Sequence, residues 1–580
     1  MDKKYISFGA ILLALGFGLM FWQSQHYVSP SPTVVEATSS FAEAPDISLE
    51  AEDSTEASFV QKKQETLALS QAEEVEEQLY TLENEAIAVC FTTRGGAIKE
   101  ISLKNYPLVL YSPAPFVFNA ETDEPALSLA LSQDGLPKKF APAYELVDVS
   151  TSLIRFKYTT PEGLEVIRAY QLSTDASQKD PYSIQHETRF SNKSPEALDL
   201  KRVFINVGSF PETEGDTTGE YLNFGYYNGK TADFVKVSEF RDSKGFLGIG
   251  KRSAVAYKTQ NASVRWASVK NQFFTTVLTP QVPALGIFAK PTELNTSNST
   301  QEGITGSVLF SLGALEKGES KCLNMSYYVG PKELSRLENL GDNQELIMQF
   351  GFFGMVSKFL LSLMLIIHKF IPNWGLTIIG VTVLIKLFLW PLTTAQVRSS
   401  KRMAALQGPL KAIKQQYANN PQKQQAETMK LFKENKVNPA AGCLPLIVQL
   451  PIFLGLYFML RTASELRFAP FLWVQDLSVP DTVCRIAGFP LNPLPLLMGV
   501  TMYYQMKLMP SPSTDDTQRK LLQFMPFMFL FFCYNFPAGL VLYWTVQNLL
   551  TILQQYFTTK SIGPEQLVVA KGPSNPFKKP

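Results

Sequence analysis

Histidine and cysteine are scarce in this chain of 580 residues: three of the first and five of the second. His26, His186 and His368 stand far apart and fall in no metal-binding or triad pattern, which leaves them unrelated structural or surface roles. Cys90, Cys322, Cys443, Cys484 and Cys533 form no Cys-x-x-Cys pair, which argues against a zinc ribbon or a thioredoxin-like site. No Gly-x-x-x-x-Gly-Lys-Ser/Thr loop is present to cradle ATP. Charge of one sign is missing too: 53 basic residues face 52 acidic ones, so net charge identifies no partner. These absences predict no metal, no cofactor and no catalytic residue.

What is present is an uneven distribution of apolar residues. Residues 1–24 contain the run Ile6 to Trp22 behind Lys3 and Lys4, nearly long enough to span a hydrocarbon core of about 30 Å. No small-x-small site follows it, which favours an uncleaved anchor over a signal peptide, with the N-terminus cytoplasmic. Residues 25–85 are rich in Ser, Thr, Ala, Pro and acids and read as a disordered acidic linker, helical at most near 61–80. Residues 86–345 change to short alternating segments, Ile98 to Leu103, Leu164 to Tyr170 and Tyr182 to His186, separated by turn clusters such as Tyr227-Asn228-Gly229-Lys230. That pattern predicts an all-β periplasmic sandwich, followed by a short helix from Pro331-Lys332-Glu333-Leu334. Tyr226, Tyr227, Phe273 and Phe274 suit core packing better than a binding cleft. A disulfide between Cys90 and Cys322 stays open, because the compartment permits it and the sequence gives no geometry.

The rest reads as a polytopic α-helical bundle. Residues 346–372 carry Lys358, His368 and Lys369 in an apolar stretch and predict an amphipathic helix at the interface. Residues 373–557 contain five spans, at 373–390, 440–460, 491–506, 521–536 and 540–557, with Pro391 closing the first. The loop between 391 and 440 has nine basic residues, from Arg398 to Lys436, against Glu427 and Glu434, so it is cytoplasmic. Within it, 394–417 and 422–436 predict two helices broken at Asn419-Asn420-Pro421, forming a hairpin over 395–436. Lys411, Lys414 and Lys423 give that hairpin a basic exterior, suited to anionic lipid or to ribosomal RNA. The tail 558–580 is basic. Six transmembrane helices, five in the core, and two cytoplasmic termini result.

Lys386 lies thirteen positions after Asn373, about 20 Å along the helix. A charge at that depth either snorkels to the interface or faces a polar cavity. Thr382, Gln449, Gln505, Gln547 and Asn548 are the residues that would share such a wet cavity.

The run Asn438-Pro439-Ala440-Ala441-Gly442-Cys443-Leu444-Pro445, continuing through Gln449-Leu450-Pro451-Ile452-Phe453, resembles the signature of the YidC-type membrane insertases. Trp374-Gly375, Pro391-Leu392-Thr393, Phe536-Pro537-Ala538-Gly539-Leu540 and Tyr543-Trp544 are similar as well. In the β region, Thr93-Arg94-Gly95-Gly96, Trp266 and Phe273-Phe274 resemble the Gram-negative members. The resemblance implies an inner-membrane insertase and chaperone, alone or with the Sec translocon. Its partners would be nascent membrane proteins, ribosomes or targeting factors at the hairpin, and anionic lipids. It also implies a groove cation, usually arginine and here Lys386, with groove positions at Thr382, Phe453 and Trp544, the last commonly a tyrosine; Tyr543 lies beside it. Two rivals are weaker. A secondary transporter would need internal repeats and intramembrane carboxylates, and a membrane-anchored periplasmic enzyme or carbohydrate-binding module would need a polar catalytic cluster within 87–330; neither is found.

Overall fold

A computed structural model describes residues 76–120, 122–132, 135–173, 180–211, 213, 216, 219–243, 252–295, 300–435, 444–508 and 516–561. The anchor at 6–22, most of the acidic linker, the 438–443 part of the signature and the tail beyond 561 lie outside them. The chain divides into two compact units, Val28–Ile347 on one side and Met1–Tyr27 with Met348–Pro580 on the other.

The described residues of the first unit are all β apart from short helical turns, and their sheets are antiparallel. A nine-stranded sheet runs in the order Ala232–Lys236, Asn223–Tyr227, Trp266–Lys270, Phe274–Pro280, Ser320–Pro331, Ser183–Asn192, Leu164–Leu172, Leu153–Thr159, Glu145–Val149. A six-stranded sheet includes Lys258–Val264, Ala284–Asn295, Thr300–Phe310 and Val203–Pro211. The two meet face to face: Tyr327 OH donates to Val207 O at 2.7 Å. A Cβ on Gly306 would sit 2.2 Å from Phe224 Cδ2, so only glycine permits that approach. A four-stranded sheet, Leu79–Glu83, Ile87–Thr92, Ala97–Pro107 and Pro115–Phe118, adds aromatic contacts; Phe118 and Phe210 lie 4.7 Å apart. Tyr226, Tyr227, Phe273 and Phe274 are all buried, which fits core packing.

One sequence expectation changes here, and one open question closes. The disordered linker was to reach residue 85, with helix near 61–80, yet Leu79–Glu83 is a strand whose Leu79 pairs with Thr92. Leu82 points into the core at 5% exposure, and Glu77, in the acidic run, is tied to Thr92 and Lys99. Of the acids that suggested disorder, Glu77 is therefore partnered at the sheet edge. Cys90 and Cys322 are free thiols, on strands of different sheets.

Helix α1, Leu334–Asn339, follows the last long strand. The second unit contains α2, Gly354–Phe370; α3, Trp374–Phe388; α4, Trp390–Ala405; α5, Gln407–Gln416; α6, Pro421–Glu434; α7, Leu444–Thr462; α8, Pro493–Leu508; α9, Asp516–Cys533; and α10, Ala538–Ser561. Asn373 caps α3, its side chain accepting from Leu376 N–H at 3.0 Å. Helix α2 buries Leu360, Leu361 and Met364; Ser357 Oγ donates to Gly455 O of α7 at 2.9 Å. Its outer face leaves Met355, Phe359 and Phe370 exposed.

Pro391 marks the end of the first apolar helix as expected, α3 stopping at Phe388. It stands in the first turn of α4, where its missing N–H costs nothing, and the break at Leu389 bends α3 against α4 by 62°. The helix expected over 394–417 is divided at Leu406, because Pro409 has no N–H to offer the Ala405 carbonyl. Met403, Leu406 and Leu431 form a small apolar core with Leu410, Ile413 and Phe432, closing α4, α5 and α6 into the hairpin. Among the described residues no single helix is long and apolar enough to cross a membrane; the bent α3–α4 pair reaches that length and composition only when its two helices are taken together.

Candidate functional site

A stripe of polar residues runs along one face of α10. Tyr543, Gln547 and Thr551 recur at intervals of four, so they stack over about 12 Å of helix. Lys386 reaches this stripe from α3. It is 2% exposed, and its Nζ donates to Thr551 Oγ1 at 2.8 Å. Thr551 in turn donates to Gln547 O at 2.6 Å. At the upper end of the stripe, Gln449 Nε2 of α7 donates to Tyr543 OH. At the lower end, Thr393 Oγ1 donates to Gln554 Oε1 at 2.9 Å, and Gln554 Nε2 donates to Thr394 Oγ1 at 3.1 Å.

A buried ammonium carries three N–H donors, and the Thr551 hydroxyl takes one of them. Gln547 Oε1 and Gln505 Oε1 are buried acceptors without a partner among the described residues. Orphaned donors and acceptors of this kind call for water or for a polar guest. Thr382 stands one turn before Lys386 on α3, fully buried, its hydroxyl donating to Ile378 O at 2.6 Å.

Other sequence-selected residues go elsewhere. Asn548 bonds through Nδ2 to Thr501 Oγ1 of α8 at 3.2 Å. Phe453 and Trp544 meet edge to face at 4.7 Å, with Phe529 4.7 Å from the same indole. They border a small crevice with Met498, Phe536 and Leu540, an apolar wall beside the polar stripe. On the hairpin, Lys411 and Lys423 are exposed and Lys414 is half-buried; Lys423 Nζ lies 5.3 Å from the Tyr417 ring centre. Sequence reasoning missed Thr551 and Gln554. The four-residue spacing from Tyr543 through Gln547 to Thr551 was the available signal.

The described residues contain no His, Cys, Asp and Glu grouping able to hold a metal. The β unit has its own buried polar centre. Arg168 is fully buried, its Nη1 donating to Gly95 O at 2.9 Å and its Nη2 to Leu127 O. Nη2 also lies 3.1 Å from His186 Nε2, and Tyr170 OH donates to Gly96 O at 2.7 Å. Backbone carbonyls thus occupy these donors, and the cluster braces the Arg94-Gly95-Gly96 turn, with no acid to work as a general catalyst.

The model for the 60Kd inner membrane protein family matches residues 366–565, and that for the YidC periplasmic domain matches 79–363. A membrane protein insertase YidC from Haemophilus influenzae is 30% identical over 490 residues, 82% of this chain and 85% of that protein. One from Pasteurella multocida is 29% identical, over 96% of this chain and 97% of its own. A crystal structure of an active YidC insertase, 19% identical, covers 84% of this chain and 94% of that one at a TM-score of 0.34. By the family models and the sequence relatives, the chain belongs to the YidC family of membrane protein insertases.

Proposed function

We propose that this inner-membrane protein inserts and helps fold integral membrane proteins by a physical, non-covalent route, through a hydrophilic groove built on Lys386. The observation that carries the reading is the buried Lys386–Thr551 pair on a polar stripe between otherwise apolar helices. The flank of a nascent segment enters from the cytoplasm, where water, Lys386 and the glutamines lower its desolvation cost. Its apolar part moves along the Phe453–Trp544 side into lipid, driven by about 0.8 kcal/mol per buried CH₂.

In this reading the spans are the 6–22 anchor, α3, α7, α8, α9 and α10. Both termini and the α4–α6 hairpin are cytoplasmic, and the β unit is periplasmic. Two of the helices that cross are short, α3 having 15 residues and α8 having 16. Spans shorter than the hydrocarbon thickness thin the bilayer around them, which shortens the barrier a client must cross. The hairpin serves ribosomes or targeting factors and anionic lipid, and clients arrive alone or from the Sec translocon.

The test is insertion of one acidic-tailed and one neutral-tailed client into proteoliposomes carrying Lys386→Arg, Lys386→Ala or Lys386→Glu. Arginine should retain insertion. Glutamate should reduce the acidic-tailed client most, roughly tenfold if the groove loses about 1.4 kcal/mol of attraction, and alanine should fall between. Equal yields across variants that accumulate equally would remove Lys386 from the mechanism.

A further inference from the structure

The hairpin tip between the Ala97–Pro107 and Pro115–Phe118 strands has a surface that water does not favour. Leu108, Val109 and Tyr111 are 49%, 42% and 83% exposed. From Asn105 to Pro115 there is no charged residue. The loop is nonetheless well formed: Leu108 N–H donates to Ala114 O at 2.8 Å and Ser112 N–H to Val109 O at 3.1 Å. Pro107, Pro113 and Pro115 restrict it further. Tyr111 itself takes a left-handed backbone, φ +63°, which a tyrosine rarely adopts. A rigid turn therefore holds apolar side chains outward.

The position of the tip says what they meet. Tyr106, at the base of the hairpin, donates to Glu333 Oε1 at 2.8 Å and meets Phe274 edge-on at 5.3 Å. Phe274 pairs with Pro331, at the end of the long strand after which the chain leaves the β unit. At this same end Lys270, paired with Thr275, donates to Ile347 O. Ile347 is the last residue of the unit, and α2 begins at Gly354, no more than about 25 Å of extended chain away. Gln344 bonds Thr279 near the far end of the Phe274–Pro280 strand, and three residues on Ile347 accepts from Lys270, so the exit segment runs back towards the end of the β unit that carries the uncharged tip.

We propose that the Leu108–Tyr111 tip is a lipid contact that enters the interfacial layer of the periplasmic leaflet, with Tyr111 at the headgroup level. Tyrosine favours that layer because its ring is apolar and its hydroxyl is wet, and the missing charges spare the loop a desolvation cost. The contact rests on the topology proposed above and gives the β unit a second hold on the bilayer besides its covalent link.

The experiment uses the full chain in liposomes, its five cysteines replaced by serine, with a spin label at Tyr111→Cys, Val282→Cys or Leu384→Cys. Val282 is exposed at the turn on the opposite end of the Phe274–Pro280 strand, and Leu384 is exposed on α3. Collision with oxygen reports lipid, and collision with a water-soluble nickel chelate reports solvent. Position 384 should favour oxygen and 282 nickel, with the oxygen-to-nickel ratio at 111 several-fold above that at 282. A water-like 111 beside a lipid-like 384 overturns the lipid contact and leaves the topology standing. A water-like 384 overturns both. A label at 111 shielded from both reagents means a protein occupant and also overturns the proposal. As a second measurement in the cysteine-containing chain, Tyr111→Trp should add fluorescence that brominated lipid quenches; no added quenching counts against the proposal.

Discussion

Arg168 occupies an inward position of the Leu164–Leu172 strand, where the alternation calls for an apolar residue. Its charge is tolerated because the Gly95 and Leu127 carbonyls accept from it. His186 stacks on Tyr170 at 4.3 Å and accepts from its neighbours, so it must be neutral. Burial first, and the Arg168 charge second, hold its imidazole well below the ordinary 6.5. The unfolded chain takes up a proton below about 6.5 while the folded chain does not, so stability is full above that pH and is lost as pH falls. Between pH 7.5 and pH 5 the β unit should lose about 2 kcal/mol from this group. In His186→Gln that loss should vanish, although the variant is weaker at pH 7.5 because the stacking on Tyr170 is gone. Urea unfolding of the full chain, followed by the β-sheet circular dichroism band at both pH values, checks this. Equal pH sensitivity in parent and variant would contradict it.

At the scale of elements, local chemistry made some features readable and hid others. The Leu164–Tyr170 alternation announced a strand, and Asn373 announced the start of α3, because period and cap are local signals. The Leu79–Glu83 strand was hidden, since what orders it is its partner strand at 87–92 and not its own acid-rich neighbourhood. The bend at Leu389 was hidden as well: Pro391 signals a break, but a break can be an end or a turn into a new helix. Lys386 stood out as a charge in an apolar run, whereas Thr551 became meaningful only once α3 and α10 were side by side. The hairpin makes a prediction at this scale. Its apolar core of Met403, Leu406 and Leu431 leaves Lys411 and Lys423 exposed, so reversing them with Lys414 to glutamate should change charge and spare the fold. If the hairpin docks on ribosomal RNA, translating-ribosome affinity should fall at least tenfold. The slope of log affinity against log salt should flatten by up to about three, one for each phosphate no longer neutralised. Unchanged binding with preserved helicity would leave only the lipid-attraction role.

At the scale of the whole molecule, the two units raise the question of where the β unit ends as a folding unit. The sequence reading closed it at 345, but the packing continues past that point. Arg265 pairs with Asp342 at 3.1 Å, Asn343 Nδ2 donates to Tyr227 OH at 2.8 Å, and Gln344 Nε2 donates to Thr279 Oγ1 at 3.0 Å. Lys270, buried and held well below its ordinary pKa by burial and by the charges of Lys332 and Lys236, donates a hydrogen bond to Ile347 O. Ile347 itself is fully buried. A fragment of residues 76–347 should therefore fold alone, with a β-rich spectrum and one cooperative melt. A fragment ending at 340 keeps every strand of the three large sheets but lacks this strap. Removing Ile347 forfeits about 2 kcal/mol of burial, and stripping Lys270 of its carbonyl adds about 1–3 kcal/mol. Together these should lower the melting temperature by roughly 10 °C or more. The longer fragment should gain stability as the pH rises towards 10, because the unfolded chain then gives up the Lys270 proton that the folded chain cannot hold. Opening the end at 340 lets water reach Lys270, so the shorter fragment should gain less and the deficit should widen. Equal melting of the two fragments at neutral pH would show that the segment after α1 is only a connector; a shorter fragment that melts lower, and gains less at high pH, would place the end of the folding unit at Ile347.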